Sequence, residues 1–151
     1  MTGVQTCALP IYNQAARDRE IAAAIAEAVA AFDKGLVLFG LSGTVCISEG
    51  ERCGLRCASE VFADRTYSPD GSLTPRSQPN ALIQDDAEAV EQVLSMVTRG
   101  EVTATDGAVV AVRAETVCLH GDGEHAVSFA RALRRSLEHN GVAVEAVRRE
   151  D

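Results

Sequence analysis

The chain is poor in aromatic side chains, with no tryptophan and an aromatic content of only 4% in 151 residues. Proteins that bind single-stranded nucleic acids stack the bases on such rings. Basic residues are also in the minority, since 14 Lys and Arg stand against 22 Asp and Glu, for a net charge of −8. Nucleic acids and anionic membrane surfaces attract basic patches. We therefore expect neither nucleic acid nor membrane as a partner.

Long apolar runs and a secretory leader are both missing. No run approaches the roughly 20 apolar residues of a membrane-spanning helix. The N-terminus lacks a basic segment followed by a long apolar core. The five cysteines are an odd number without the spacing of a disulfide framework. These absences predict a cytoplasmic protein with reduced thiols.

Two common binding motifs are also absent. Gly40 and Gly43 have neither the spacing nor the lysine of a phosphate loop. Cys46, Cys53 and Cys57 are separated by six and three residues, not by the paired two-residue spacing of zinc sites. We expect buried or half-buried thiols and no metal. A thiol- or metal-binding α/β module remains open as an alternative.

Helical and strand-like segments alternate along the chain. Apolar side chains at three- and four-residue spacing predict helices over Tyr12–Phe32, Ala87–Arg99 and Glu124–His139. Short apolar runs predict strands over Leu36–Leu41, Leu55–Ser59, Thr116–Leu119 and Val142–Val147. Glu101–Val112 is typical of a hairpin that turns at Asp106-Gly107, with Val102, Val109, Val110 and Val112 as its apolar side chains. The alternation predicts an α/β fold with a parallel sheet.

One long segment, Ser59–Ile83, has three prolines and a glycine, which exclude a regular helix or a central strand. Connections of this length in compact domains are usually functional or disordered. Its own apolar side chains favour an ordered loop. Its charged side chains follow a strand-like run and are Glu60, Asp64, Arg65, Asp70 and Arg76. They predict a site for a small charged ligand, although exposed and weak ion pairs would give the same composition.

His120 and Asp122 directly follow the predicted strand Thr116–Leu119. A histidine titrates near neutral pH and can act as acid, base or ligand, or can simply be packed at the end of a strand. Asp122 can instead cap the following helix. A metal cluster of His120, Asp122 and His125 is a further, less favoured interpretation. Guanidinium groups such as those of Arg65 and Arg76 can hold a carboxylate or a phosphate with two hydrogen bonds.

Two blocks of sequence resemble the signature of the LamB/YcsF family, the family of the 5-oxoprolinase A subunit. The first is Ser59-Glu-Val-Phe-Ala-Asp-Arg-x-Tyr67 with Asp70-Gly-x-Leu-x-Pro-Arg-Ser-x-Pro-x-Ala-Leu-Ile83, and the second is Val117-Cys-Leu-His-Gly-Asp122. The likeness runs from about Tyr12 to Val147. It implies a partial β/α barrel of the TIM-like, seven-stranded type, of which residues 12–151 supply roughly the C-terminal half. Residues 1–11 resemble a translated sequencing adapter and are expected to be an artefactual tail.

The resemblance also implies a reaction, the ATP-dependent hydrolysis of 5-oxo-L-proline to L-glutamate, in which two partner subunits, B and C, take part. On this basis Glu60, Asp64 and His120 are the candidate catalytic residues. Arg65, Arg76 and Asp122 are the candidate substrate-binding residues. ATP is the implied cofactor, although the chain has no phosphate-loop motif. A truncated form of the protein is expected to be inactive by itself, and an inactive gene remnant is the other interpretation.

Overall fold

The structure is a computed structural model that describes residues 9–121 and 125–147. The chain divides into two compact units, of which the first ends at Ser59 and the second begins at Glu60. In the described part of the chain, no helix is both long enough and apolar enough to cross a membrane.

The first unit opens with two helices, α1 (Leu9–Ala15) and α2 (Arg19–Phe32). The prediction of one continuous helix over Tyr12–Phe32 is therefore wrong. The helix is interrupted before Asp18, whose carboxylate accepts hydrogen bonds from the backbone N–H groups of Glu20 and Ile21 at 2.9 and 3.2 Å. An aspartate in this position satisfies donors that the first turn leaves unpaired, so a new helix starts there.

Strand β1 (Val37–Leu41) and helix α3 (Val45–Arg52) complete the first unit, together with the start of strand β2 (Arg56–Phe62). Both predicted strands are confirmed, although β2 runs three residues beyond Ser59. Gly50 allows α3 to lie close to the strands, because a Cβ atom there would stand 2.5 Å from the Cys57 sulfur. Glu49 is buried between Arg19 and Arg52, with each ion pair at 2.6 Å. These hydrogen bonds and charges, Arg52 foremost, lower the pKa of Glu49.

The second unit contains helix α4 (Asp86–Thr98) and a hairpin of β3 (Glu101–Thr103) and β4 (Val109–Ala111). The predicted helix and the predicted hairpin are both confirmed. The Asp85 carboxylate caps α4 by accepting hydrogen bonds from the backbone N–H groups of Ala87 and Glu88. The hairpin is antiparallel, with Val102 opposite Val110. Val102 is buried as expected, whereas Val109 is 66% exposed and does not belong to the core.

Strand β5 (Thr116–Cys118) and helix α5 (Ala126–His139) follow. The predicted start of α5 at Glu124 lies outside the described residues. Phe129, Leu133 and Leu137 form the buried stripe of α5, but Val127, which the helical spacing assigns to that stripe, is 66% exposed. Residues 142–147 form no strand, so the prediction of a final strand is wrong.

The long segment after β2 is ordered by hydrogen bonds of its own. Thr66 donates its backbone N–H to Ala81, Thr74 donates to Thr66, and Ile83 donates to Asp64. The Tyr67 ring is fully buried, and its hydroxyl accepts from the Phe62 N–H at 2.8 Å. Burial raises the Tyr67 pKa. The predicted ordered loop is confirmed, and it returns to its starting point near Asp64.

Candidate functional site

The end of β2 lies parallel to β5, with Glu60 opposite Thr116 and Phe62 opposite Cys118. A further bond from the Ala63 N–H to the Cys118 carbonyl continues this register. Side chains two residues apart point to the same face of a strand. Asp64 follows Phe62 by two residues, and His120 follows Cys118 by two. The register therefore places Asp64 and His120 side by side where the two strands end.

Asp64 and His120 form a hydrogen-bonded pair in that position. The His120 Nδ1 atom lies 2.8 Å from Oδ1 and 2.7 Å from Oδ2 of Asp64. The two side chains are 21% and 19% exposed, so solvent reaches the pair without surrounding it. The Phe62 ring lies on one side of the imidazole, with 6.0 Å between ring centroids. Packing and the carboxylate together fix the orientation of the imidazole ring.

Arg76 completes the group from the far side of the loop. One of its terminal nitrogens lies 3.0 Å from His120 Nε2. A guanidinium can only donate, so Nε2 accepts this hydrogen bond and carries no proton. Nδ1 consequently holds the proton and donates it to Asp64. A neutral imidazole oriented by a carboxylate, with its Nε2 lone pair turned away from that carboxylate, is the arrangement of a general base.

Arg65, a predicted substrate-binding residue, lies inside the loop and is only 3% exposed. Its Nε donates to the Ala81 carbonyl at 3.1 Å, and a terminal nitrogen donates to the Thr74 carbonyl. Burial, followed by the charge of Arg76, lowers the Arg65 pKa. Two donors of Arg65 are thus used to hold the loop together. Contact of Arg65 with a substrate stays a prediction.

Glu60 lies within β2 rather than beyond the strand end where the sequence pattern placed it. It shares a face with Asp64 but stands four residues earlier, which is about 13 Å along an extended chain. Its catalytic role stays a prediction. Asp122 lies outside the described residues. Of the six predicted site residues, the structure therefore brings together Asp64, Arg76 and His120.

Gln92 of α4 is a site-supporting residue that the sequence pattern did not reveal. Its Nε2 amide lies 3.2, 3.3 and 3.0 Å from the carbonyl oxygens of Phe62, Ala63 and Arg65. These carbonyls flank Asp64, so the amide fixes the backbone that carries the carboxylate. A signal was present, because Gln92 lies three residues after Ala89 and directly before Val93, both of which are buried. A polar residue at the edge of a buried stripe calls for a specific partner.

Replacing Gln92 by leucine should destabilise the second unit by about 1–2 kcal/mol, because buried carbonyls lose their donor. The amide of Ala63 should also exchange its hydrogen faster. Urea unfolding and hydrogen exchange measure the two effects. Glu91→Ala, on the exposed neighbouring position, serves as the matched control and should leave both unchanged. Equal free energies of unfolding and equal exchange rates at Ala63 in the two variants would contradict the role assigned to Gln92.

Cys118 lies on β5, two residues before His120, and is half-buried. Burial, followed by the negative charges of Glu60 and Asp64, raises the pKa of its thiol to about 12. At pH 8 the thiolate fraction is then about 10³-fold below that of an ordinary cysteine. We expect Cys118 to resist iodoacetamide at pH 8 and to react in urea. Peptide mapping by mass spectrometry checks this, and rapid alkylation of the folded chain would contradict it.

A metal centre is the alternative that the cysteines and histidines leave open. Within residues 9–121 and 125–147, no three His, Cys, Asp or Glu side chains are grouped closely enough to hold a metal ion. Cys46 is buried, which raises its pKa, and the Cys57 thiol donates to the Ile47 carbonyl at 3.6 Å. Cys46 and Cys57 are thus packing residues of the first unit. The predicted cluster with Asp122 lies partly outside the described residues.

The family of the chain follows from its similarity to known proteins. The sequence model of the LamB/YcsF family matches residues 8–151. The chain belongs to the LamB/YcsF family. The match begins at residue 8, before the expected start near Tyr12, and α1 likewise begins at Leu9. The adapter origin of residues 1–11 stays a prediction.

LamB/YcsF relatives resemble the chain along nearly its whole length. It is 55% identical to the 5-oxoprolinase A subunit of Geobacillus kaustophilus over 99% of this chain and 59% of that relative. It is 52% identical to the corresponding protein of Bacillus subtilis, over 91% of this chain and 53% of the relative. The crystal structure of a lactam utilization protein from Thermus thermophilus matches with a TM-score of 0.81 at 49% identity, over 91% of this chain and 54% of that structure. The chain thus spans little more than half the length of these relatives.

Proposed function

We propose that the chain is the portion of a 5-oxoprolinase A subunit that carries the base of the reaction, in a cytoplasmic enzyme that hydrolyses 5-oxo-L-proline to L-glutamate. The observation that carries the proposal is the Asp64–His120–Arg76 group at the ends of two parallel strands. Membership of the LamB/YcsF family supports the substrate, because relatives that are 55% and 52% identical to this chain over the matched part bear the name of the 5-oxoprolinase A subunit.

In this proposal His120 Nε2 accepts a proton from a water molecule as the water oxygen attacks the ring carbonyl carbon of 5-oxoproline. Asp64 stabilises the imidazolium that forms. The ring C–N bond then breaks, and His120 returns the proton to the departing nitrogen, which gives the open-chain amino acid. Arg76 stabilises negative charge on the substrate carboxylate or on the oxygen of the attacked carbonyl.

ATP would supply activation of the amide oxygen, since an unstrained lactam is a poor electrophile. The described residues include no phosphate loop. The turn between β1 and α3 has a strand–turn–helix context, but Ser42-Gly43-Thr44 has neither the phosphate-loop spacing nor its lysine. We therefore propose that ATP binds elsewhere, with the partner subunits B and C as the candidates.

We further propose that the strands belong to a β/α barrel of the TIM type, with the remaining strands in the part of the relatives that this chain does not match. In such barrels the catalytic groups lie at the carboxyl ends of several strands. The pairing of Asp64 and His120 at the ends of β2 and β5 supports this. Activity should then require the unmatched part.

The test is ATP-dependent release of glutamate from 5-oxoproline in the presence of the partner subunits B and C. The chain by itself should release none. A chimera in which the N-terminal portion of the Geobacillus kaustophilus relative precedes this chain should be active. Failure of a folded chimera, with the unaltered relative active under the same conditions, would overturn the proposed function.

A further inference from the structure

Arg76 is hydrogen-bonded to His120 Nε2, the nitrogen atom that acts as the base in the proposed reaction. Its guanidinium donates to His120 Nε2 at 3.0 Å, and this is the atom whose lone pair must receive a proton. The other imidazole nitrogen is held by Asp64 and is unavailable. In this geometry the base is therefore covered.

The cover is held weakly enough to move. Arg76 is exposed and lies in the exposed stretch 75–80, whereas the loop on either side is anchored at Thr74 and Ala81, both of which are buried. Thr74 and Ala81 are held by hydrogen bonds with the Arg65 side chain and with the backbone of Thr66. Arg76 takes no part in these bonds. Among the described residues, swinging the Arg76 side chain away from His120 thus breaks one hydrogen bond and leaves the bonds that hold the loop intact.

An oxyanion is the ligand that can draw Arg76 away. A guanidinium forms paired, charge-assisted hydrogen bonds with a carboxylate or a phosphoryl group, and these are stronger than one bond to a neutral imidazole. His120 Nε2 and an oxyanion then compete for the same donors. When the oxyanion wins, the Nε2 lone pair is exposed to the attacking water.

We propose that Arg76 is a specificity-determining cover of the base, which an oxyanion-bearing ligand removes from His120 Nε2. The identity of that ligand rests on the proposed function, in which it is the carboxylate of 5-oxoproline or a phosphoryl group. Molecules of similar size without an oxyanion leave the base covered. Binding of the anion by Arg76 therefore also makes His120 Nε2 available as the base.

The test measures the reactivity of His120 Nε2 with diethyl pyrocarbonate, which acylates an accessible, unprotonated imidazole nitrogen. His125→Gln and His139→Gln leave His120 as the single histidine of this three-histidine chain. In that background Arg76→Ala should raise the acylation rate about tenfold, the factor expected for loss of one charge-assisted hydrogen bond. Arg76→Gln should also raise it. Arg113→Ala, an exposed arginine paired with Glu115, is the matched control and should not change it.

Two ligand arms distinguish the source of the oxyanion. Inorganic phosphate alone and 5-oxoproline alone are each added to the parent, which is the His125→Gln, His139→Gln variant, and to the same variant with Arg76→Ala. Calorimetry records whether each ligand binds. A ligand that removes the cover raises the parent's acylation rate toward the Arg76→Ala value and has no effect on Arg76→Ala. Unchanged or slower acylation by a ligand that binds, or equal rates in the parent and both Arg76 variants, would overturn the proposal. Neither ATP nor partner subunits are needed, so an inactive chimera does not affect this result.

Discussion

His120→Ala in the active chimera is expected to lower turnover of 5-oxoproline by roughly 10²–10⁴, the usual loss when a general acid–base group is removed. The physical reason is that no other described side chain presents a neutral nitrogen oriented by a carboxylate at this strand end. KM should change less than kcat, because the lost interaction develops in the transition state. Glutamate release under saturating ATP is the measurement.

His139→Ala is the matched control, since His139 is exposed at the end of α5. It should retain normal turnover. Asp64→Asn should lower turnover by about 10² or more, because an amide neither stabilises the imidazolium nor fixes the proton on Nδ1. The double variant should be no worse than His120→Ala, since the two residues act as a unit. Near-normal turnover of His120→Ala would show that the base lies elsewhere.

Arg65→Met should destabilise the second unit by about 3 kcal/mol. The substitution keeps an apolar stem of similar length but removes the donors to Ala81 and Thr74. The Thr74 carbonyl then loses the donor that Arg65 supplied, whereas the Ala81 carbonyl keeps its bond from the Thr66 N–H. Urea unfolding measures the loss, and limited proteolysis should show faster cleavage in the exposed stretch 75–80.

Arg113→Ala is the control for this change, because Arg113 pairs with Glu115 on the surface and such pairs are worth at most about 1 kcal/mol. It should leave proteolysis of the loop unchanged. If Arg65→Met unfolds like the control but binds phosphate or 5-oxoproline more weakly, Arg65 is a ligand-binding residue as the sequence pattern predicted, not a structural one.

The sequence predicted the elements well where local signals were strong. The apolar spacing over Ala87–Arg99 marked α4, and Asp106-Gly107 between valines marked the hairpin. The failures have local causes. Asp18 lies within the apolar spacing that predicts one long helix, although its side chain caps a second one. Val142–Val147 has the apolar content of a strand but pairs with no neighbour among the described residues.

The site could be predicted in part for a geometric reason. The carboxyl ends of neighbouring parallel strands share an edge, so residues after two such strands meet, as Asp64 and His120 do. Which arginine would face the site could not be read from the sequence. Arg65 and Arg76 are alike in charge and lie in the same loop, and only the path of the loop buries the first and exposes the second. Gln92 was missed because its partners are backbone carbonyls, which no motif encodes.

Everything proposed for the site depends on Asp64 and Arg76 holding His120 as a neutral imidazole with its proton on Nδ1. Nitrogen-15 NMR of the ligand-free chain in the His125→Gln, His139→Gln background decides this, because the two ring nitrogens have separate resonances in each tautomer. We expect a protonated Nδ1 and an unprotonated Nε2, with the Nδ1 proton lost to fast exchange in Asp64→Asn. A proton on Nε2 with a bare Nδ1 would show that His120 is not held as this base.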